Sequence, residues 1–373
     1  MASALGSLRV VDFSRILAGP FATMMLGDLG AHVTKVERPG SGDDTRSWGP
    51  PWDERGGATY FEAVNRNKRG VVLDLERADD RARARELALA TDVLVENFRP
   101  GVMARAGLSY EQLRAANPGL VYCSITGFGA GAGAELPGYD LLIQALGGLM
   151  SITGDPRGAP QKVGVALVDV LAGLFATVGI LAALEHRRAS GEGQLVEVSL
   201  LASLLASLVN QGAAYTIAGA VPGRLGNDHP SIAPYGLVRC REGDLVLAVG
   251  NDQQFASLCE LVGAPELARD ARFATNPARV GNRELLRATL EERLAARSAR
   301  DWAAELPAAG VPAGVVNDLA GAFALAHELG LDPVVAVERE DGGSVALTRN
   351  PIGLSATPVS YRAAPPALAR ERR

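Results

Sequence analysis

The chain has 373 residues, 47% of them hydrophobic, and carries a formal net charge of −5. This length supplies a sizeable core and favours two domains. The acidic balance argues against a general binder of nucleic acid or of anionic membranes. It does not argue against a small anionic ligand, because such ligands are bound by local clusters of charge.

The cysteines indicate where the protein works. Cys123, Cys240 and Cys259 have no close spacing, so the sequence predicts neither a disulfide framework nor a zinc site. The histidines have no partners at metal-ligand spacing, and we expect no metal. The first residues contain no basic segment followed by an apolar one, so we expect no signal peptide and a cytoplasmic location.

Short apolar runs alternate with helical patterns through the first half of the chain. This β-α-β rhythm predicts a parallel sheet, and right-handed crossovers then give a doubly wound layer. The predicted strands are Arg9–Phe13, His32–Glu37, Gly70–Leu73, Val93–Glu96 and Leu120–Ile125, and the predicted helices between them include Phe21–Leu29 and Ala78–Ala90.

A glycine-rich run, residues 127–133, follows the last of these strands. It resembles a dinucleotide-binding loop, which needs a helix directly after the glycines. Pro137 and Gly138 argue for a longer loop here, so an NAD site is disfavoured. A loop that lets the backbone approach a ligand and a merely flexible loop both stay open.

The stretch from Val163 to Leu184 has a single charged residue, Asp169. It has the length of a membrane span, but a charge would be costly in lipid and the segment stands alone. We therefore expect a core helix from about Val170 to Arg188, with Asp169 as its N-cap. Gly191 ends it, and residues 194–200 are predicted to form a further strand or a short apolar connector.

The composition changes near residues 220–245, where proline and glycine predict a loop or linker. A smaller α/β unit follows. Its predicted elements are strand Leu245–Val249, helix Gln253–Val262, helix Arg283–Ala296, a helix with a capping box at Ser298 and Asp301, and strand Val311–Val316. The tail from Pro351 is expected to wrap over the surface.

Asp169 is the most informative residue, because a carboxylate among apolar residues is expensive without a partner. A helix cap alone would account for it. A carboxylate at a helix N-terminus is also fixed and poorly solvated, which is the state that a nucleophile needs.

Basic residues cluster near predicted strand ends, where doubly wound sheets bind their ligands. Several cations that converge there would hold a phosphate-rich ligand, although each alone could be a solvated surface residue. These residues are Arg38, Arg46, Lys68, Arg69, Arg99 and Arg105.

Taken together, the motifs resemble the class III CoA-transferase family, which includes the α-methylacyl-CoA racemases. The resemblance runs from Leu8 to about Pro366. It is carried by residues 17–20, 26–31, 35–39, 67–69, 95–101, 138–140, 168–169 and 179–184.

The resemblance implies an interlocked homodimer in which each chain has a Rossmann-like large domain and a smaller α/β domain. The expected bounds are a large domain over residues 1–200, a linker over 201–225, a small domain over 226–325, and a C-terminal segment over 326–373 that returns to the large domain.

The implied reaction moves CoA between carboxylic acids through an anhydride and an aspartyl-CoA thioester on Asp169, with no tightly bound cofactor. The acyl-CoA thioester is itself the substrate. Tyr139 and Asp140 match positions beside the reaction centre. Positions that match CoA contacts are Arg38, Leu73, Asn97, Phe98 and Arg105, and Lys68 is added for the phosphates.

The family pattern is not matched everywhere. Racemases carry histidine at the position of Tyr139, and proton exchange needs a base on each face of the α-carbon, so transfer is favoured over racemisation. Oxalate-specific members have glutamine where this chain has Leu17. Residues 224–235 resemble members that use short dicarboxylates, and we expect Arg15, Arg46 or His229 to bind the distal carboxylate, unless His229 only orders its loop.

Other functions remain as alternatives: an α-methylacyl-CoA racemase, a non-catalytic CoA-binding protein and an NAD oxidoreductase. The presence of Asp169 argues against the second, and the loop at Pro137 against the third.

Overall fold

A computed structural model describes residues 3–368, which form two compact units. The first unit comprises the described residues 3–149, 162–220 and 332–368. The second comprises residues 150–161 and 221–331.

The first unit is built on a six-stranded parallel sheet with the strand order β3-β2-β1-β4-β5-β6. This is the order of doubly wound nucleotide-binding folds, in which ligands lie where the chain changes direction, here between β1 and β4. The strands are β1 Arg9–Asp12, β2 His32–Glu37, β3 Lys68–Val72, β4 Val93–Glu96, β5 Val121–Thr126 and β6 Leu195–Ser199.

Ten helices belong wholly or partly to this unit among the described residues. They are α1 Ala18–Asp28, α2 Thr59–Ala63, α3 Ala78–Leu89, α4 Val102–Arg105, α5 Tyr110–Arg114, α6 Asp140–Leu146, α7 Leu149–Ile152, α8 Leu167–Ser190, α9 Leu200–Ser207 and α10 Val209–Ala218, with a 3-10 turn at Asp44–Ser47.

The sheet is covered on both faces because its side chains alternate. Val93 and Val95 of β4 join one core with α1, α8 and α9, and Leu94 joins a second core with α3, α4 and α5. Helix α8 is long and apolar enough to cross a membrane. Its residues 168, 172, 176, 180 and 183 lie in the first of these cores, as expected for a core helix of an α/β layer.

The second unit has a three-stranded antiparallel sheet of β7 Tyr235–Arg239, β8 Asp244–Ala248 and β9 Ala313–Val315. Its core combines these strands with apolar faces of the helices. The helices are α11 Asp252–Leu261, α12 Asn276–Gly281, α13 Arg283–Leu294, α14 Ala299–Glu305 and α15 Leu319–Glu328, with 3-10 turns at Pro265–Arg269 and Leu306–Ala309. The predicted capping box of Ser298 and Asp301 is present at α14.

After the second unit the chain re-enters the first and forms a hairpin, β10 Val334–Glu338 and β11 Ser344–Thr348. Hydrogen bonds of Arg362 and Asn67 then hold the C-terminal segment against the first unit. Arg362 donates to the carbonyls of Gly27, Gly30 and Ala31, and Asn67 N–H donates to the Ala363 carbonyl. Residues 369–373 of the expected returning segment lie outside the described residues.

Two expectations about organisation were wrong. Most of the expected linker, residues 201–225, is helical, because α9 and α10 run to Ala218 within the first unit. The apolar character of Leu200–Ser207 explains this, since it buries Leu200 and Leu204 against the sheet. Residues 150–161, expected in the large domain, belong to the second unit.

Candidate active site

A cavity of about 260 Å³ opens at the carboxyl ends of β1, β4 and β5, at the point where the topology places a ligand. Its walls are the turns that follow these strands, residues 15–18, 97–100 and 125–127. Tyr139 and Asp169 also line it, together with Asp44, Leu200 and part of the loop before α6. The predicted nucleophile therefore faces a cavity at the sheet edge.

Asp169 lies in the first turn of α8, not at its N-cap as the sequence predicted. Ala166 occupies the cap position and contributes no side-chain bond. The cap is supplied from α6 instead. The Oδ2 atom of Asp140 accepts the Val168 N–H at 2.8 Å and the Asp169 N–H at 3.4 Å. The carboxylate of Asp169 therefore does not cap the helix.

Close packing of α8 on α1 brings Asp169 to the cavity. Gly173 lies one turn after Asp169 on the same face of α8. A Cβ atom at Gly173 would lie 2.7 Å from the Ala18 carbonyl oxygen, so only glycine permits this approach. The contact fixes Asp169 beside residues 16–18 at the start of α1.

The surroundings of Asp169 disfavour its charge. Burial, together with the neighbouring charge of Asp140, raises the pKa of Asp169 to about 7. Among the described residues no lysine or arginine forms an ion pair with it. Burial also raises the pKa of Tyr60 on α2 to about 12, with a contribution from Asp169. Sequence reasoning missed Tyr60, because only the fold brings α2 near α8.

The turn after β1 is held by three side chains from neighbouring segments. Asp12 accepts the Ser14 N–H, Asn97 Oδ1 accepts the Arg15 N–H, and Asp43 accepts the Ile16 N–H. Asn97 also donates to the Arg15 carbonyl at 2.8 Å. Ile16 has a φ of 70°, a strained conformation for a β-branched residue. Asn97, predicted as a CoA contact, lines the cavity while it clamps this turn.

A second cavity, of about 660 Å³, shares Arg15 and Phe98 with the first. It gathers four predicted CoA contacts, namely Arg38, Leu73, Phe98 and Arg105. Arg38 also pairs with Asp44, and the Arg15 guanidinium lies 4.8 Å from the centre of the Phe98 ring.

Three other predicted site residues, Lys68, Arg46 and His229, make contacts away from the cavity of Asp169. Lys68 is fully buried, where its ammonium bonds to Asp12, the Pro20 carbonyl and Asn65, so it offers no surface to a phosphate. Arg46 makes a two-point ion pair with Glu37 and lies outside both cavities described above.

His229 belongs to the second unit, where its Nδ1 accepts the Ser231 N–H and its ring packs on Tyr235. These contacts order its own loop, which was the alternative interpretation of this residue.

The glycine-rich loop leads to α6 only after Pro137 and Gly138, so no helix N-terminus follows the glycines directly. Gly127 and Gly138 pack backbone to backbone at the cavity wall: a Cβ on Gly127 would lie 2.5 Å from Gly138 Cα. The two glycines are therefore needed for this internal contact, and the approach of the loop to a ligand stays a prediction.

Comparisons with known proteins give the family of the chain. The profile of CoA-transferase family III matches residues 5–372. The chain is 44% identical over 370 residues to a succinate–glutarate CoA-transferase of Agrobacterium fabrum, covering 98% of this chain and 92% of that protein. It is 41% identical over 350 residues to an acetyl-CoA:oxalate CoA-transferase of Acetobacter aceti, covering 93% and 88%.

A solved structure is similarly close. A CAIB/BAIF family protein from Brucella suis superposes with a TM-score of 0.87 at 44% identity, covering 99% of this chain and 97% of that one.

Proposed function

Since the chain belongs to CoA-transferase family III, we propose that it moves CoA from an acyl-CoA to a short dicarboxylic acid, with Asp169 as the nucleophile. The observation that carries the proposal is the position of Asp169, at a cavity on the sheet edge, where it forms no ion pair with any described residue. A carboxylate with a raised pKa is more nucleophilic when ionised, and near pH 7 a large fraction of Asp169 is ionised.

The reaction follows from carboxylate chemistry. Asp169 attacks the thioester carbonyl, the C–S bond breaks, and a mixed anhydride forms as CoA thiolate leaves. The thiolate then attacks the Asp169 carbonyl, which releases the donor acid and leaves aspartyl-CoA thioester. The acceptor carboxylate repeats both steps in reverse order and departs as the new acyl-CoA. Water must be excluded throughout, because it would hydrolyse either intermediate.

CoA itself fits the second cavity in size and lining. Arg38 and Arg105 supply cations for phosphates, and Leu73 and Phe98 supply apolar surface. Since the two cavities share Arg15 and Phe98, a CoA that lies in the larger cavity would bring its thioester end towards Asp169. Tyr139, which is 58% exposed, lines the cavity beside Asp169 and would contact the acyl group.

A dicarboxylate substrate is supported by the relatives, which are named for glutarate and oxalate. Two arginines line the cavity of Asp169, Arg15 and Arg99, and neither forms an ion pair among the described residues. We infer that Arg99 binds the distal carboxylate, because Arg15 also lies against the CoA cavity.

We also propose that the protein works as an interlocked homodimer in the cytoplasm. Apolar side chains are exposed along α8 and α10, among them Val178 at 64%, Val209 at 71% and Ile217 at 85%. Such a surface is typical of an interface with another subunit. The three cysteines are free thiols, in keeping with a reducing compartment.

Mass spectrometry of a panel of acyl-CoA donors with carboxylate acceptors tests the proposal. We expect CoA transfer to glutarate or succinate to exceed transfer to monocarboxylates of equal length. Proton exchange into a 2-methylacyl-CoA without any transfer would contradict it.

The substitution Arg99→Gln should lower kcat/KM for the dicarboxylate on the order of tenfold, and leave monocarboxylates unaffected, because one charge-assisted hydrogen bond is lost. Arg300→Gln, at an exposed position of the second unit, is the control. Equal losses for both acceptor classes would refute the role of Arg99.

A further inference from the structure

Gln144 on α6 is a fully buried polar residue beside the active site, with 0% of its surface exposed. Its Nε2 donates to Asp140 Oδ1 at 2.6 Å, and its Oε1 accepts the Val163 N–H at 2.9 Å. A weaker contact joins Nε2 to the Val165 carbonyl at 3.5 Å. One side chain therefore connects α6 to the segment that leads into α8.

The other carboxylate oxygen of Asp140 meets the first turn of α8, at Val168 N and Asp169 N. Gln144 and Asp140 are four residues apart, so they lie on the same face of α6. The chain of contacts runs from Gln144 to Asp140 and on to the backbone of Asp169. Each of its bonds lies within the first unit.

We propose that Gln144 is a positioning residue for catalysis, which orients Asp140 and so sets both the place and the basicity of the Asp169 carboxylate. This inference rests on the proposed role of Asp169 as nucleophile. An amide suits the position because it donates to a carboxylate and accepts from a backbone N–H at once. Neither an apolar residue nor a carboxylate of the same length does both.

The charge environment of Asp169 makes this position sensitive. Asp140 on α6 raises the pKa of Asp169, and Asp169 in turn raises the pKa of Tyr60 on α2. The cavity brings a further set of charged and phenolic groups around it, namely Arg15, Asp44, Arg99 and Tyr139. A carboxylate at hydrogen-bond distance from the α8 backbone acts most strongly of these anions, and its effect falls as it moves away.

Two substitutions separate the two hydrogen bonds of Gln144, to Asp140 and to the Val163 N–H. Gln144→Met keeps the volume and removes both bonds. Gln144→Glu keeps an acceptor for Val163 N–H but turns a carboxylate toward Asp140. Gln253→Met, at an exposed position on α11, is the control for a glutamine-to-methionine change.

For Gln144→Met we expect kcat to fall on the order of a hundredfold, because a nucleophile displaced by about 1 Å loses that much. KM for acyl-CoA should stay within about twofold, since the CoA cavity is untouched. The acidic limb of the kcat/KM profile should move to lower pH as Asp140 is released. In Gln144→Glu the loss should shrink as pH falls, because the introduced carboxyl group, once protonated, donates to Asp140 again.

The outcomes are distinct. A folded Gln144→Met with wild-type kcat and an unmoved pH profile would overturn the inference. If that variant does not fold, the pH-dependent recovery of Gln144→Glu decides, and a flat loss would count against the positioning role. Borohydride reduction of the wild-type protein with acyl-CoA checks the premise separately. An unmodified Asp169 there would defeat the proposed function, whatever Gln144 does.

Discussion

Asp169 and Asp12 are both largely buried carboxylates in the same unit, yet their charged neighbours differ in sign: lysines lie beside Asp12, and another aspartate lies beside Asp169. Asp12 is fully buried and bonds to Lys68 at 3.0 Å. Burial alone would raise the pKa of Asp12, but Lys68, Lys35 and two hydroxyl donors lower it below its usual range. Asp169 has Asp140 as its neighbour and no ion-pair partner among the described residues, and its pKa is raised to about 7.

The difference indicates that two buried carboxylates of one unit serve different purposes: Asp12 stabilises the fold, and Asp169 is the proposed nucleophile. In the network of Asp12, Lys35, Asp43 and Lys68, each carboxylate is matched by a buried ammonium, so the network holds the turn at residues 14–16. At the start of α8 no described residue forms an ion pair with Asp169, and in the proposed reaction this carboxylate is the nucleophile. Substitutions at the two places should therefore have contrasting effects.

The largest effect is expected at Asp169. Asp169→Asn should lower kcat by at least about a thousandfold, because the nucleophile is lost. The melting temperature at neutral pH should not fall, since a disfavoured charge beside Asp140 is removed. Steady-state kinetics and calorimetry check both. A destabilised variant that kept its turnover would reverse the comparison.

The second effect concerns stability. Lys68→Met should lower the free energy of unfolding by about 3–5 kcal/mol, because it leaves a buried carboxylate without its partner. Chemical denaturation measures this. Arg69→Met, on the exposed neighbouring position of β3, is the matched control and should change little. An equal, small loss of unfolding free energy in both variants would show that the buried pair of Lys68 and Asp12 does not stabilise the protein.

The third and smallest effect is the change in the free energy of unfolding with pH, which should have opposite signs for Asp169 and Asp12. Asp169 binds its proton more tightly in the folded protein than at its usual pKa of 3.8, so its contribution to stability falls as pH rises from 3.8 towards about 7. Asp12, with a lowered pKa, contributes stability that is present above 3.8 and is lost as pH falls.

Unfolding free energies of Asp169→Asn and Asp12→Asn, measured against wild type at about pH 3, about pH 5 and about pH 8, separate these two slopes. Asp169→Asn should gain relative to wild type between about pH 5 and about pH 8, and the loss in Asp12→Asn should grow between about pH 3 and about pH 5 and then stay level. Parallel curves for the two variants would contradict the assignment of opposite environments.

Much of this framework could be predicted from the sequence. Alternation and β-α-β spacing place the first five parallel strands to within about two residues of their observed bounds, and the sixth lies in a segment that the sequence left open between a strand and a connector. The hairpin β10–β11 was missed, since its strands are short and half exposed.

The candidate site was less accessible to sequence reasoning. Lys68 and Arg46 look like ligand-binding cations in the sequence, and only the fold shows their carboxylate partners. The cap of α8 comes from Asp140, some thirty residues earlier, so no local pattern could reveal it.

The route of the acceptor oxygen tests the central claim most directly. In the proposed reaction one carboxylate oxygen of the acceptor remains on Asp169 when the new acyl-CoA departs. A dicarboxylate labelled with heavy oxygen, followed by peptide mass spectrometry, should therefore place one heavy oxygen in the peptide that contains Asp169 after a single turnover, and up to two after many. Turnover that leaves this carboxylate unlabelled would contradict nucleophilic attack by Asp169.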